Sequence, residues 1–143
     1  MAFRARLKVC FGDIDHAGIV YYPRFVHYFH VALEDFFGGE LGIEYAAAIH
    51  QSRVTFPTVH LEADFRRRLH FGDHIEVEVR VLKIGRTSIT WGYRAFRTGP
   101  VEELVVEGHN VTVCTDPDTF VKQEVPAWLR ERLEDYRGRC GES

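Results

Sequence analysis

From Val59 to Thr115 the chain repeats one pattern: a stretch of strand-like texture, a short turn, then another such stretch, and in the first two stretches apolar and polar residues alternate. Alternation puts every second side chain on one face of an extended segment, so each stretch reads as a strand with one buried face. "VHLEADFRRRLHF" sets Leu61, Ala63, Phe65, Leu69 and Phe71 against Glu62, Asp64, Arg66, Arg68 and His70, predicting one long strand. "IEVEVRVLKI" sets Ile75, Val77, Val79 and Val81 against Glu76, Glu78 and Arg80, and "GRTSITWGYRAFR" and "LVVEGHNVTVCT" follow, rich in β-branched and aromatic residues. Connections as short as "FGDH" and "TGPVEE" require antiparallel neighbours, so the predicted sheet is a meander.

Ahead of this sheet the texture differs. "FRARLKV" alternates Phe3, Ala5, Leu7 and Val9 against Arg4, Arg6 and Lys8 and predicts a first strand. Phe25, Tyr28, Phe29, Ala32, Leu33 and Phe36 then recur at spacings of three and four, predicting a long helix with Gly38 and Gly39 as its stop. A terminal helix is predicted over "PAWLRERLEDY", with Leu129, Leu133 and Tyr136 on one side; Cys10 and Cys114 fall in predicted strands and read as core. The expected architecture is α+β, with one long central helix against a five-stranded antiparallel sheet. One helix cannot cover both faces of so wide a sheet, so at least a dimer is expected.

A chain of 143 residues with 45% hydrophobic and 27% charged residues suits one compact domain, taken as residues 1–143. Its 18 basic and 21 acidic residues are interspersed and the formal charge is −3, which disfavours nucleic acid. Arg66, Arg67 and Arg68 do not alter this, because strand alternation sends Arg67 to the opposite face and acidic residues flank the run. Three widely spaced cysteines without CxxC spacing point to a reducing cytoplasm, and neither an export signal nor an apolar run of membrane-spanning length is evident.

Chemistry concentrates in "FGDIDHAGIVYYPRF". Pro23 suits the first helical position, where its missing N–H would have had no partner, and this puts Tyr22 at the N-cap. The free N–H groups of a helix start, with their positive partial charge, can hold a polarised carbonyl oxygen. Asp15 lies upstream, and Gly18 lets the loop fold back so that its carboxylate approaches whatever is held there. A carboxylate opposite an oxyanion donor is a hydrolytic pair. Most loop aspartates only form turn-type hydrogen bonds to nearby backbone, and for Asp13 and Asp15 that reading stands beside the catalytic one at this level. In "KIGRTS", Lys83 and Arg86 flank a glycine turn and Thr87 and Ser88 add hydroxyls, a set suited to phosphate groups or to a plain solvated hairpin. His27, His30 and Glu34 share a helical face, but a polar helix face accounts for them without a metal.

The loop motif, the aromatic helix after it and "LKIGRTSI" between two later strands resemble the hotdog-fold acyl-CoA thioesterases of the 4-hydroxybenzoyl-CoA thioesterase family. The resemblance implies a hotdog fold and hydrolysis of an acyl-CoA to free acid and CoA, without metal or organic cofactor. It implies Asp15 as nucleophile or general base and the Tyr22 backbone N–H as oxyanion donor. It further implies Gly18, His30, Lys83, Arg86 and Ser88 as substrate contacts, and a homodimer or homotetramer with the acyl site at a subunit interface. A small aromatic acyl group such as hydroxybenzoyl is favoured. His16 departs from the proline that several aromatic-acyl members carry after the catalytic aspartate, which bears on substrate identity. The alternatives are a non-catalytic hotdog module binding acyl-CoA or an acyl carrier protein, and a hotdog dehydratase.

Overall fold

The computed structural model describes residues 2–140, so residue 1 and residues 141–143 of the expected 1–143 unit lie outside the described residues. Its elements are β1 (Phe3–Lys8), α1 (Pro23–Phe36), α2 (Tyr45–Ser52), β2 (Thr58–Phe65), β3 (His74–Ile84), β4 (Ser88–Arg97), β5 (Glu103–Val113) and α3 (Ala127–Arg139). All five strands form one antiparallel sheet in the order β1-β3-β4-β5-β2. The α+β expectation and the strand number agree with this.

The connectivity corrects the simple meander. β2 and β3 are consecutive in the chain yet do not pair: one edge of β3 is taken by β1, Phe3 opposite Val79, and the other by β4. The free edge of β5 therefore receives β2, with Phe65 opposite Val106. Residues 66–73 must cross the end of the sheet, and this shortens the predicted strand, which stops at Phe65. Arg67 thus does not sit in a strand. Its backbone N–H and that of Arg66 both donate to the Val105 carbonyl, and Phe71 is exposed. β1 and β2 end up parallel at opposite edges, a relation that a hairpin cannot make and that the α1 crossover supplies.

The inner face of the sheet is covered by α1 through an aromatic stack. Phe36 is fully buried with ring contacts to Phe3, Phe37, Trp91 and Tyr136. Phe29 stacks on Tyr93 at 4.7 Å, and Phe25 meets Phe65 of the edge strand. Gly108 makes this fit possible, since a Cβ there would stand 2.3 Å from the Glu62 carbonyl oxygen and 3.2 Å from the Phe29 ring. The predicted stop at Gly38 and Gly39 is also corrected. The chain continues through both as a π-helical turn (Phe37–Leu41) because Phe37 and Leu41 still bury against the core, and Gly42 at φ 76° ends it. Cys10 is not core: β1 ends at Lys8, and Cys10 is exposed where the chain turns away. Cys114 is buried just past β5.

α3 buries Leu129, Leu133 and Tyr136, as its spacing predicts. The Tyr136 hydroxyl donates to the Val79 carbonyl at 2.6 Å and accepts the Phe3 N–H at 2.7 Å, tying α3 to β3 and β1. Tyr136→Phe leaves both backbone groups without that partner and is expected to destabilise the fold by about 1–3 kcal/mol, read from urea unfolding midpoints at unchanged slope.

Candidate active site

The stretch ahead of α1 folds as a small hairpin. Ile14 bridges to Val20, the Asp15 N–H donates to the Ile19 carbonyl, and the Gly18 N–H donates back to the Asp15 carbonyl. Gly18 adopts φ +80°, the left-handed residue that closes a three-residue hairpin loop. Asp15 occupies the first position of this turn, and its Oδ1 accepts the Ala17 N–H at 2.8 Å. The turn-forming role weighed for Asp15 is therefore real, and it engages one oxygen. Among the described residues no hydrogen bond reaches Oδ2. Asp15 and His16 are exposed at the tip.

Asp13 has a different place. Its Oδ2 accepts the Cys10 N–H and the Tyr28 hydroxyl, both at 2.9 Å, and its carbonyl accepts the Tyr21 N–H. Burial, and then the Asp13 hydrogen bond, push the Tyr28 phenol well above its ordinary range. Asp13 thus binds the base of the hairpin to the first turns of α1. The sequence signals Tyr28 only as core, so this tether was not legible there.

The returning arm of the hairpin is held from beneath by the crossover: the Val20 N–H donates to the Leu69 carbonyl, Ile19 bridges to His70, and Leu69 is fully buried. This arm runs straight into Tyr22 at the N-cap and Pro23 at the first helical position, as predicted. Among the described residues no acceptor meets the Tyr22 N–H. The crossover that breaks the meander is what supports the loop.

Two concavities lie along the seam between α1 and β2. One, of about 250 Å³, is bounded by Ile19, Tyr22, Phe25, Phe65 and the Arg66–Arg68 backbone turn. The other, of about 460 Å³, is lined by Phe29, His30, Thr58, Leu61, Tyr93 and Asn110, among others. His30 lies on the wall of this cavity, with Nε2 2.7 Å from Glu34 Oε2. Thr58, Tyr93 and Asn110 escaped the sequence reading because only strand pairing brings them beside the helix. Burial pushes the Tyr93 phenol far above its ordinary range, so it stays neutral.

Lys83, Arg86 and Ser88 do not join this constellation within one chain. They lie at the β3–β4 turn, where Gly85 donates to the Ser88 carbonyl, Arg86 pairs with Glu124 at 3.3 Å, and the Arg86 carbonyl accepts the Val125 N–H. The Asp15 hairpin sits at the other end of β3, where Val9 donates to Asp73. The eleven residues of β3 between these ends span roughly 33 Å.

A helix laid across the inner face of a five-stranded antiparallel sheet is the hotdog architecture. The chain belongs to the thioesterase-like superfamily, which it matches over residues 9–133. It is 30% identical over 127 residues to a 1,4-dihydroxy-2-naphthoyl-CoA hydrolase of Synechococcus elongatus, covering 88% of each chain. Its fold superposes with a TM-score of 0.83 on a 1,4-dihydroxy-2-naphthoyl-CoA thioesterase from Synechocystis, at 22% identity over 94% of this chain and 97% of that one. The TM-score is also 0.83 against a mutant 4-hydroxybenzoyl-CoA thioesterase complexed with 4-hydroxybenzoyl-CoA, at 23% identity over 92% of this chain and 98% of that one. Among the described residues no helix is long and apolar enough to cross a membrane.

Proposed function

We propose that this chain, acting as one domain, hydrolyses the CoA thioester of a small hydroxylated aromatic acid, with the acyl group held along the α1–β2 seam. The observation that carries this is the Asp15 hairpin, whose return arm delivers the unpartnered Tyr22 N–H to the helix start beside the seam. The thioester oxygen accepts the Tyr22 N–H, in line with the positive end of α1, as negative charge develops on it. Asp15 Oδ1 stays in its turn while Oδ2 either attacks the thioester carbon, breaking the C–S bond to release CoA thiolate and leaving an anhydride that water cleaves to free acid and Asp15, or takes a proton from water. In the water route the water oxygen bonds to the acyl carbon, the C–S bond breaks, and the proton held by Asp15 passes to the departing CoA sulfur.

A ring hydroxyl suits the larger cavity, where His30, Thr58, Tyr93 and Asn110 supply polar atoms among aromatic walls. Hydroxybenzoyl, favoured from the loop, and the dihydroxynaphthoyl group in the names of the relatives both fall in this class. The free thiols Cys10 and Cys114 support a reducing, cytoplasmic setting.

The site is a dimer's. β2 is an edge strand that exposes Val59 (64%), Leu61 (42%) and Phe65 (49%). Thr58 of β2 lies at the same end of the sheet as the β3–β4 turn, and Phe65 at the end of the Asp15 hairpin. Antiparallel pairing of two β2 edges about a two-fold axis would bring the partner's β3–β4 turn end toward Asp15, uniting Arg86 and Lys83 with the chemistry for CoA phosphates. The test is thiol release from 4-hydroxybenzoyl-, 1,4-dihydroxy-2-naphthoyl-, benzoyl- and short aliphatic CoA thioesters. A hydroxyaryl substrate is expected to exceed the aliphatic ones by about tenfold or more in kcat/KM. No turnover of any member would sink the hydrolase reading, and an aliphatic preference would sink the substrate class.

A further inference from the structure

On the outer face of the sheet, away from α1, two imidazoles flank one carboxylate. His60 and Glu62 are two residues apart on β2 and so share a face, and His109 of β5 stands directly opposite Glu62 in the strand register. His60 Nε2 lies 3.0 Å from Glu62 Oε1, and His109 Nε2 lies 4.0 Å from Glu62 Oε2. The two imidazole rings are 5.6 Å apart and tilted by 33°. One donor atom from each residue falls within 4.8 Å of the other two.

We propose that His60, Glu62 and His109 form a binding site for a zinc-class divalent ion, separate from the thioesterase site. Two imidazoles and a carboxylate match the ligand preference of zinc, whereas calcium and magnesium prefer oxygen donors. Around a zinc ion with ligands at about 2.0–2.1 Å, donor atoms stand about 3.3 Å apart. His60, just past a bulge in β2, and Glu62 are exposed and His109 is half-buried, so rotation about side-chain bonds can close the remaining gap. The next strand leaves room for the ion's open positions: Gly92 lies opposite His109 and floors a groove of about 280 Å³ that both His109 and Glu62 line. The bound ion would clip strand β2 to β5 within each chain.

Because alternation directs Leu61 to the seam and its neighbours His60 and Glu62 to the outer face, the site stands whether or not the substrate assignment does. The test is calorimetric titration of metal-free protein with Zn²⁺, with thermal unfolding of each variant followed alongside. The wild type is expected to bind one ion per chain at micromolar concentration and to unfold several degrees higher with zinc. His109→Ala and the isosteric Glu62→Gln are expected to weaken binding about tenfold or more, and His60→Ala/His109→Ala to abolish it, with metal-free melting unchanged. His27→Ala/His30→Ala, on the other face, is expected to bind as the wild type does. Unchanged affinity and stoichiometry in His60→Ala/His109→Ala, or no binding by the wild type up to about 1 mM, would overturn the site.

Discussion

Asp15→Asn is expected to slow thioester hydrolysis about 10³-fold while leaving the protein folded, since a positioned acid or base contributes about 10²–10⁴. The substitution is selective by construction. The asparagine side chain keeps an oxygen for the Ala17 N–H and so preserves the turn, and it removes only the charge and basicity at the second oxygen. Asp15 is exposed and makes no contact with the core, so thermal unfolding should not move. Thiol release under saturating substrate is the measurement. A rate within a few-fold of wild type, with the melt unchanged, would assign Asp15 to turn formation alone.

The second large effect concerns assembly. Val59→Lys/Leu61→Lys puts charge on the exposed edge strand and, across a two-fold axis, sets like charges near one another. A folded monomer by light scattering is expected, with hydrolysis reduced about 100-fold because the partner's turn no longer reaches the Asp15 end. Leu61 also lines the seam cavity, whereas Val59 does not line it, so Val59→Lys alone separates assembly from substrate contact. A fully active monomer would show that one chain suffices, and Arg86 would lose its role in the site.

These effects follow from features of unequal visibility in the sequence. The α1 stripe from Phe25 to Phe36 and the alternation in β3 are periodic, β4 and β5 are rich in β-branched and aromatic residues, and the structure has all four elements where these signals place them. Pro23 and Gly18 carry backbone restrictions in their own chemistry, so the N-cap at Tyr22 and the hairpin turn at Asp15 were equally legible. α2 is short and weakly amphipathic and gave no comparable signal. The alternation past Phe65 misled for a related reason. Leu69 is apolar because the crossover buries it beneath the hairpin, which imitates the pattern of a strand without being one.

What the chain determines by itself is therefore local: the element types, the buried face of each, and a loop able to hold a carboxylate ahead of an open helix N-terminus. Each depends on residues within a few positions of one another, through backbone sterics and side-chain periodicity. The tertiary structure alone decides which strand edges meet. That choice sends β2 to β5, draws residues 66–73 beneath the Asp15 hairpin, sets Thr58, Tyr93 and Asn110 around one cavity, and brings His60 and Glu62 beside His109. A strand offers two equivalent edges, and the selection between them is made by contacts such as Gly108 with Phe29 and Phe25 with Phe65, between segments far apart in the sequence.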